Sequence, residues 1–229
     1  MASGDSHRLD EANIQLDDQA AIKRGAKLFV NYCLNCHSAG LMRYNRIAQD
    51  LNISNEELTR DFIKTGAKPG ELMTVAIDPA QAKQWFGRTP PDLSVISRAR
   101  GADWLYTYLR SFYRDESRPW GVNNTVFKDV GMPHVLWELQ GLQEAKREKV
   151  TDAEGNEREV ITGLTLAQPG KLNPQQYDEA IHDLVSFLVY LGEPSKIQRL
   201  ALGKWVLLFL AVFLVIVYLL KKEYWKDVH

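Results

Sequence analysis

Only two cysteines occur in the 229-residue chain, and both stand beside a histidine in the stretch Tyr32-Cys33-Leu34-Asn35-Cys36-His37. Two thiols in one chain can make a disulfide, a redox dithiol, part of a metal site or a point of covalent attachment. A redox dithiol needs a thioredoxin-like βαβ surround, and no alternating strand pattern flanks this pair. Structural zinc needs four ligands, and His7, His134, His182 and His229 supply no second clustered pair. Cys-x-x-Cys-His is the spacing at which two thiols meet the two vinyl groups of haem while the next imidazole reaches the iron.

Iron held by His37 has an opposite face, which a thioether or a second imidazole must fill if the task is electron transfer rather than ligand chemistry. Four methionines are available. Met1 is terminal, and Met42 follows His37 too closely to swing round a porphyrin. Met73 lies in the loop-like KPGELMTVAIDP and stays a candidate. Met132, in VGMPHV, is preferred, because Gly131 and Pro133 break regular structure and would hold its sulfur on a loop facing the ring. Either methionine could equally be an adaptable core filler. His134 is the rival ligand and would give a bis-histidine iron of lower potential.

A further stretch, FGRTPPDLSVISRARGADW, contains Pro90-Pro91, which forces extended backbone and offers carbonyls without amide donors. A carbonyl there is placed to accept a hydrogen bond from a ring nitrogen of His37 and fix its orientation. Arg98 and Arg100 are candidates for pairing with the haem propionates, or else form a solvated cationic turn.

These residues need a scaffold, and the pattern predicts a mainly α-helical one. Ala21, Gly25, Leu28, Phe29 and Tyr32 recur at helical spacing before the cysteines, with Asp17 or Asp18 as N-cap. The segment NPQQYDEAIHDLVSFLVYLGEP predicts a helix capped by Asn173, with Pro174 first, Gln176 closing a capping box, and Gly192 and Pro194 ending it. Its core face is Tyr177, Ala180, Ile181, Leu184, Leu188 and Leu191, with His182 turned elsewhere. A third helix fits Ala102 to Phe112, with Leu105, Tyr108, Leu109 and Phe112 inward. Lys146 to Leu166 reads as a charged hairpin turning at Glu154-Gly155-Asn156.

The tail differs in kind. Leu200 to Leu220 carries a single charge, Lys204, and is long enough to cross a hydrocarbon layer of roughly 30 Å. Trp205, Tyr218, Tyr224 and Trp225 suit its interfaces, and Lys204 can snorkel along its methylene stem. The flanking charges tie, with Lys196, Arg199 and Lys204 before and Lys221, Lys222 and Lys226 after, so orientation is left to the chemistry. The polar N-terminal MASGDSHRLDEANIQ shows no leader, and export of the body would require one ahead of it. A net charge of −1 gives no reason to expect nucleic acid as a partner.

With YCLNCHS, TPPDLSVISRARG, VGMPHVLWELQG and a C-terminal anchor in this order, the chain resembles the cytochrome c1 family in its proteobacterial form, from about Gln15 through the anchor. The resemblance implies a cytochrome c-like haem domain with inserted loops and a small hairpin, plus one C-terminal transmembrane helix. It implies one covalent haem c on Cys33 and Cys36, axial ligands His37 and Met132, the segment Pro90 to Ser94, Pro91 included, near the histidine side and Arg100 at a propionate. Trp104 stands where relatives can carry Tyr. The implied work is one-electron relay in the respiratory cytochrome bc1 complex, from the Rieske iron-sulfur protein to a cytochrome c, beside cytochrome b in a dimeric complex, with no substrate chemistry of its own. The implied layout is a periplasmic haem domain over 1–199, an anchor over 200–220 in the bacterial inner membrane, and a cytoplasmic tail over 221–229. The alternative from another class is a membrane-anchored haem enzyme with an open iron site, such as a peroxidase.

Overall fold

The computed structural model describes residues 8–75, 77–151 and 157–227, and helices make up about half of the chain. In chain order, α1 (Gln19–Leu28) runs into a π-helical turn (Phe29–Cys33), followed by β1 (Ala39–Arg43), α2 (Tyr44–Asp50) and α3 (Asn55–Glu57), which continues as a second π turn (Leu58–Phe62). Then come β2 (Leu72–Met73), α4 (Pro79–Phe86), α5 (Ile96–Arg100), α6 (Ala102–Arg110), β3 (Phe112–Arg114) and β4 (Val122–Asn124). The chain closes with α7 (Trp137–Gln140), β5 (Gly141–Thr151), β6 (Glu157–Pro169), α8 (Pro174–Gly192) and α9 (Lys196–Tyr224). The strands pair only as antiparallel couples among the described residues: β1 with β2, β3 with β4, β5 with β6.

The chain divides into two compact units, residues 1–192 and 193–229. The first is built on the contact of α1 with α8. Asp18 caps α1 by accepting from the Ala21 amide at 2.9 Å. Asn173 and Gln176 form the reciprocal capping box of α8, each side-chain oxygen accepting from the other's amide at 2.9 and 3.1 Å. Where the helices meet, Gly25 lets the backbones touch: a Cβ there would lie 1.9 Å from the carbonyl oxygen of Asp183. Beside this point the Arg24 guanidinium grips the Asp183 carboxylate through two bonds of 2.6 and 2.9 Å. Phe29 and Phe187 are both fully buried, with ring centroids 5.3 Å apart. Burial of such large rings contributes roughly 1.5–3 kcal/mol of transfer free energy each.

The third helix stops earlier than its apolar pattern suggests. It ends at Arg110, and Phe112 opens β3 instead, where it pairs with Asn124. The reason is Asn124 itself, whose buried side-chain amide donates to the carbonyl of Tyr108 at 2.8 Å and so satisfies a group that a longer helix would use. The charged hairpin is longer than its sequence signal, running from Gly141 to Pro169. Gly141 starts it at φ +95°, and a Cβ there would fall 2.0 Å from the Gln168 carbonyl oxygen. The turn at Glu154-Gly155-Asn156 lies outside the described residues.

The second unit is dominated by α9. At 29 residues it is about 43 Å long, more than a hydrocarbon core requires. It is long and apolar enough to span a membrane.

Candidate haem site

The Cys-x-x-Cys-His stretch leaves α1 through the π turn, in which the Leu34 amide bonds back to the Phe29 carbonyl at 2.9 Å. Single π turns inside helices often mark functional positions. The Cys33 carbonyl then accepts from both the Cys36 and His37 amides, at 3.0 and 2.8 Å, which curls the stretch so that all three side chains reach one cavity. Both cysteines are free thiols, Cys33 buried and Cys36 partly so. Burial pushes the Cys33 thiol up to about 12 and raises that of Cys36 as well. This is opposite to the depressed value of a redox dithiol.

Pro91 meets His37 from the other side. Its carbonyl oxygen lies 2.7 Å from His37 Nδ1, so that nitrogen donates and Nε2 keeps the lone pair a metal requires. Burial lowers the imidazole's pKa, an effect only partly opposed by this hydrogen bond, and so favours the neutral, ligating form. The loop carrying Pro91 is stapled to the residues just past His37. Asp92 accepts from the Gly40 and Ser94 amides at 2.7 and 2.8 Å, Ser94 Oγ accepts from the Leu41 amide at 3.0 Å, and the Leu93 amide donates to the Ser38 carbonyl at 2.8 Å. Burial pushes the Asp92 carboxyl up, but the bonds from Ser94 and Gly40 outweigh it and hold the group below its usual range.

The cavity has a volume of about 270 Å³ and walls that are mostly apolar, among them Leu93, Ile96, Leu105, Leu184 and Leu188. Met132 lines it, on the loop that follows β4. That loop is organised by two buried asparagines: Asn124 Oδ1 accepts from the Val126 and Phe127 amides, and Asn123 Oδ1 accepts from the Asp129 amide. The Tyr108 hydroxyl donates to Met132 Sδ at 3.4 Å. Met73, the other candidate sulfur, is fully buried on β2 within the hydrophobic core and is not part of the cavity wall. His134 is buried too, stacked on Phe112 at 4.9 Å, away from the cavity, and desolvation lowers its pKa to about 4.

Arg100 also borders the cavity, with its guanidinium 5.0 Å from the Trp104 ring and 5.7 Å from that of Phe127. Arg88 is a second cavity cation and lies against Gly131, where a Cβ would come 3.2 Å from its Nε. Arg98 instead packs at the end of α8, over Gly192. Sequence reasoning missed Arg88, Tyr108 and the Asn123-Asn124 pair, and it placed Asp92 and Ser94 near the histidine side without the bonds by which they staple the proline loop. The asparagine pair before VFKDVGM was the one legible signal, since adjacent Asn residues mark side chains that bond the backbone of a turn.

The donor set fits a c-type haem: two unbonded thiols, an imidazole with one nitrogen already engaged, a thioether, apolar walls for a flat macrocycle and guanidinium groups for its carboxylates. Fold and cavity together define a c-type cytochrome. The family described as "Cytochrome C1 family" matches residues 11–154 and 170–228. Over 229 residues the chain is 51% identical to cytochrome c1 of Allochromatium vinosum, covering 100% of this chain and 93% of that one. It is 49% identical over 228 residues to a protein of Nitrosomonas europaea named ammonia monooxygenase gamma subunit, covering 100% and 92%. It is 26% identical over 244 residues to cytochrome b/c1 of Bradyrhizobium diazoefficiens, covering 93% of this chain and 34% of that longer one.

The chain belongs to the cytochrome c1 family. It is an electron-transport subunit of the cytochrome bc1 type with a c-type haem, and its apolar C-terminal helix fits the membrane anchor of such a subunit. The open-iron enzyme alternative finds no support, and His134, a histidine two residues from Met132, stacks on Phe112 and does not line the cavity.

Proposed function

We propose that this chain relays single electrons from a Rieske iron-sulfur protein to a cytochrome c, through one haem c bound covalently at Cys33 and Cys36. The haem supplies the one-electron couple. The protein's part is to fix the site so that little has to move when the charge changes. His37 and Met132 would hold the iron, Pro91 would keep the imidazole oriented through its carbonyl, and Arg100 would pair with a propionate. A ligand set kept in both oxidation states would minimise rearrangement, and ligation by a thioether together with an imidazole would keep the potential high enough to accept electrons. The observation that carries this reading is the 2.7 Å bond from His37 Nδ1 to Pro91, which orients a ligating nitrogen beside a cavity that also contains Met132.

The cellular layout belongs to the same proposal. Residues 1–199 form a periplasmic haem domain, 200–220 an anchor in the bacterial inner membrane and 221–229 a cytoplasmic tail. Cytochrome b is the membrane partner, within a dimeric complex. A relative named cytochrome b/c1 supports that partnership.

The test of attachment is haem staining after denaturing electrophoresis together with the pyridine haemochrome spectrum. Two thioether bonds predict stain that stays with the chain and an α-band at the position of saturated side chains. Cys33→Ala or Cys36→Ala should leave one vinyl group free and move that band to longer wavelength. Haem that washes out of the unaltered chain would overturn the proposal.

A further inference from the structure

Tyr108 is placed where packing alone does not require a hydroxyl. Its ring is buried on α6, stacked on Trp104 at 4.8 Å with 10° between the planes and edge-on to Phe112 at 5.2 Å. Those contacts need a ring and nothing more. Yet the hydroxyl is carried to the cavity wall, where it meets Met132 Sδ at 3.4 Å, inside the range for a donor to sulfur.

Both ends of this contact are held by the same side chain. Asn124 donates to the Tyr108 carbonyl at 2.8 Å, and its oxygen accepts from the Val126 and Phe127 amides at 2.9 and 3.1 Å, in the loop that leads to Met132.

A thioether has two lone pairs, and a sulfur that gives one to iron can accept a hydrogen bond with the other. We infer that Tyr108 is a positioning residue for Met132, fixing the direction of its sulfur and drawing electron density from it through the hydroxyl. The inference rests on the reading of Met132 as an axial ligand. A sulfur depleted by a donor is a weaker base and stabilises oxidised iron less, so the hydroxyl raises the potential.

The experiment uses the haem-loaded full chain, unaltered and as Tyr108→Phe and Tyr108→Leu. It reads the midpoint potential and the weak near-infrared sulfur-to-iron band of the oxidised form. If the hydroxyl acts on sulfur, the potential falls in both variants, and in Tyr108→Phe the band persists but shifts in energy. If only the ring matters, Tyr108→Phe keeps the potential and band of the unaltered protein and Tyr108→Leu alone departs from them. That result overturns the inference while leaving Met132 as ligand. Absence of the band from the unaltered protein is the distinct outcome that removes the ligand reading and the inference with it.

Discussion

Pro91 and His37 are 54 positions apart in sequence, and the carbonyl of the first sits 2.7 Å from Nδ1 of the second. The contact exists because Asp92, Ser94 and Leu93 tie the proline loop to residues 38–41. The histidine's orientation is therefore set by a loop that the cysteine motif itself does not contain.

Asp92→Ala should loosen that orientation. It removes the acceptor for two backbone amides, and hydrogen bonds to a charged group are worth about 1.5–3 kcal/mol each when well shielded. Because Asp92 is exposed, a total loss of about 1–2 kcal/mol is expected in chemical denaturation. A broadened haem spectrum in the folded variant would report the freed imidazole, and an unchanged spectrum with unchanged stability would argue against the staple.

Gly25→Ala tests the helix contact beneath the site. The added methyl would overlap the Asp183 carbonyl at 1.9 Å, which is backbone and has no rotamer to yield. Overpacking of this kind costs about 1–3 kcal/mol or more, and the upper end is expected here because α1 leads directly into the cysteine turn. Thermal unfolding of the haem-loaded protein would measure it.

Asn124→Ala should be among the most damaging changes outside the cavity. The Val126 and Phe127 amides, both half-buried, lose their partner, at about 1–3 kcal/mol for each one left unsatisfied, and the Tyr108 carbonyl keeps only its 3.2 Å bond from the Ser111 amide. The altered protein should lose stability and Met132 ligation together, seen as a drop in unfolding midpoint and a weakened near-infrared band. Loss of stability with full ligation would place Asn124 in the core alone.

Acid should destabilise the haem domain in a defined window. Arg60 and Lys27 hold the Asp61 carboxyl below the usual carboxylate range by hydrogen bonding, and Lys23 and Lys27 do the same for Glu57. A depressed folded-state value gives stability that is present above the unfolded value, about 4, and is lost as pH falls through the folded one. Stability measured by denaturant should therefore be level between about pH 5 and 7 in respect of these groups and decline below about 4. In Asp61→Asn with Glu57→Gln the acid slope should be shallower.

Much of this site was readable because its parts are local. Two thiols and a histidine in five residues, a capping box at Asn173 and a long apolar tail each need only their neighbours to be recognised. The end of α6 at Arg110 was not readable, because Asn124, fourteen residues on, competes for the Tyr108 carbonyl. The separation of Met132 from Met73 likewise depends on which wall each side chain joins, and periodicity within either segment does not carry that. Tyr108 read as one apolar position in a helix face, since spacing shows that a ring points inward and not what its hydroxyl meets.

Low-spin iron held by His37 and Met132 is tested by the optical spectrum of the purified, reduced protein with and without carbon monoxide. A c-type spectrum that carbon monoxide does not shift is expected, with the near-infrared sulfur band in the oxidised form. Met132→His should then abolish that band and lower the potential in a folded haem protein. A spectrum that moves with carbon monoxide, or a potential indifferent to Met132→His, would contradict it.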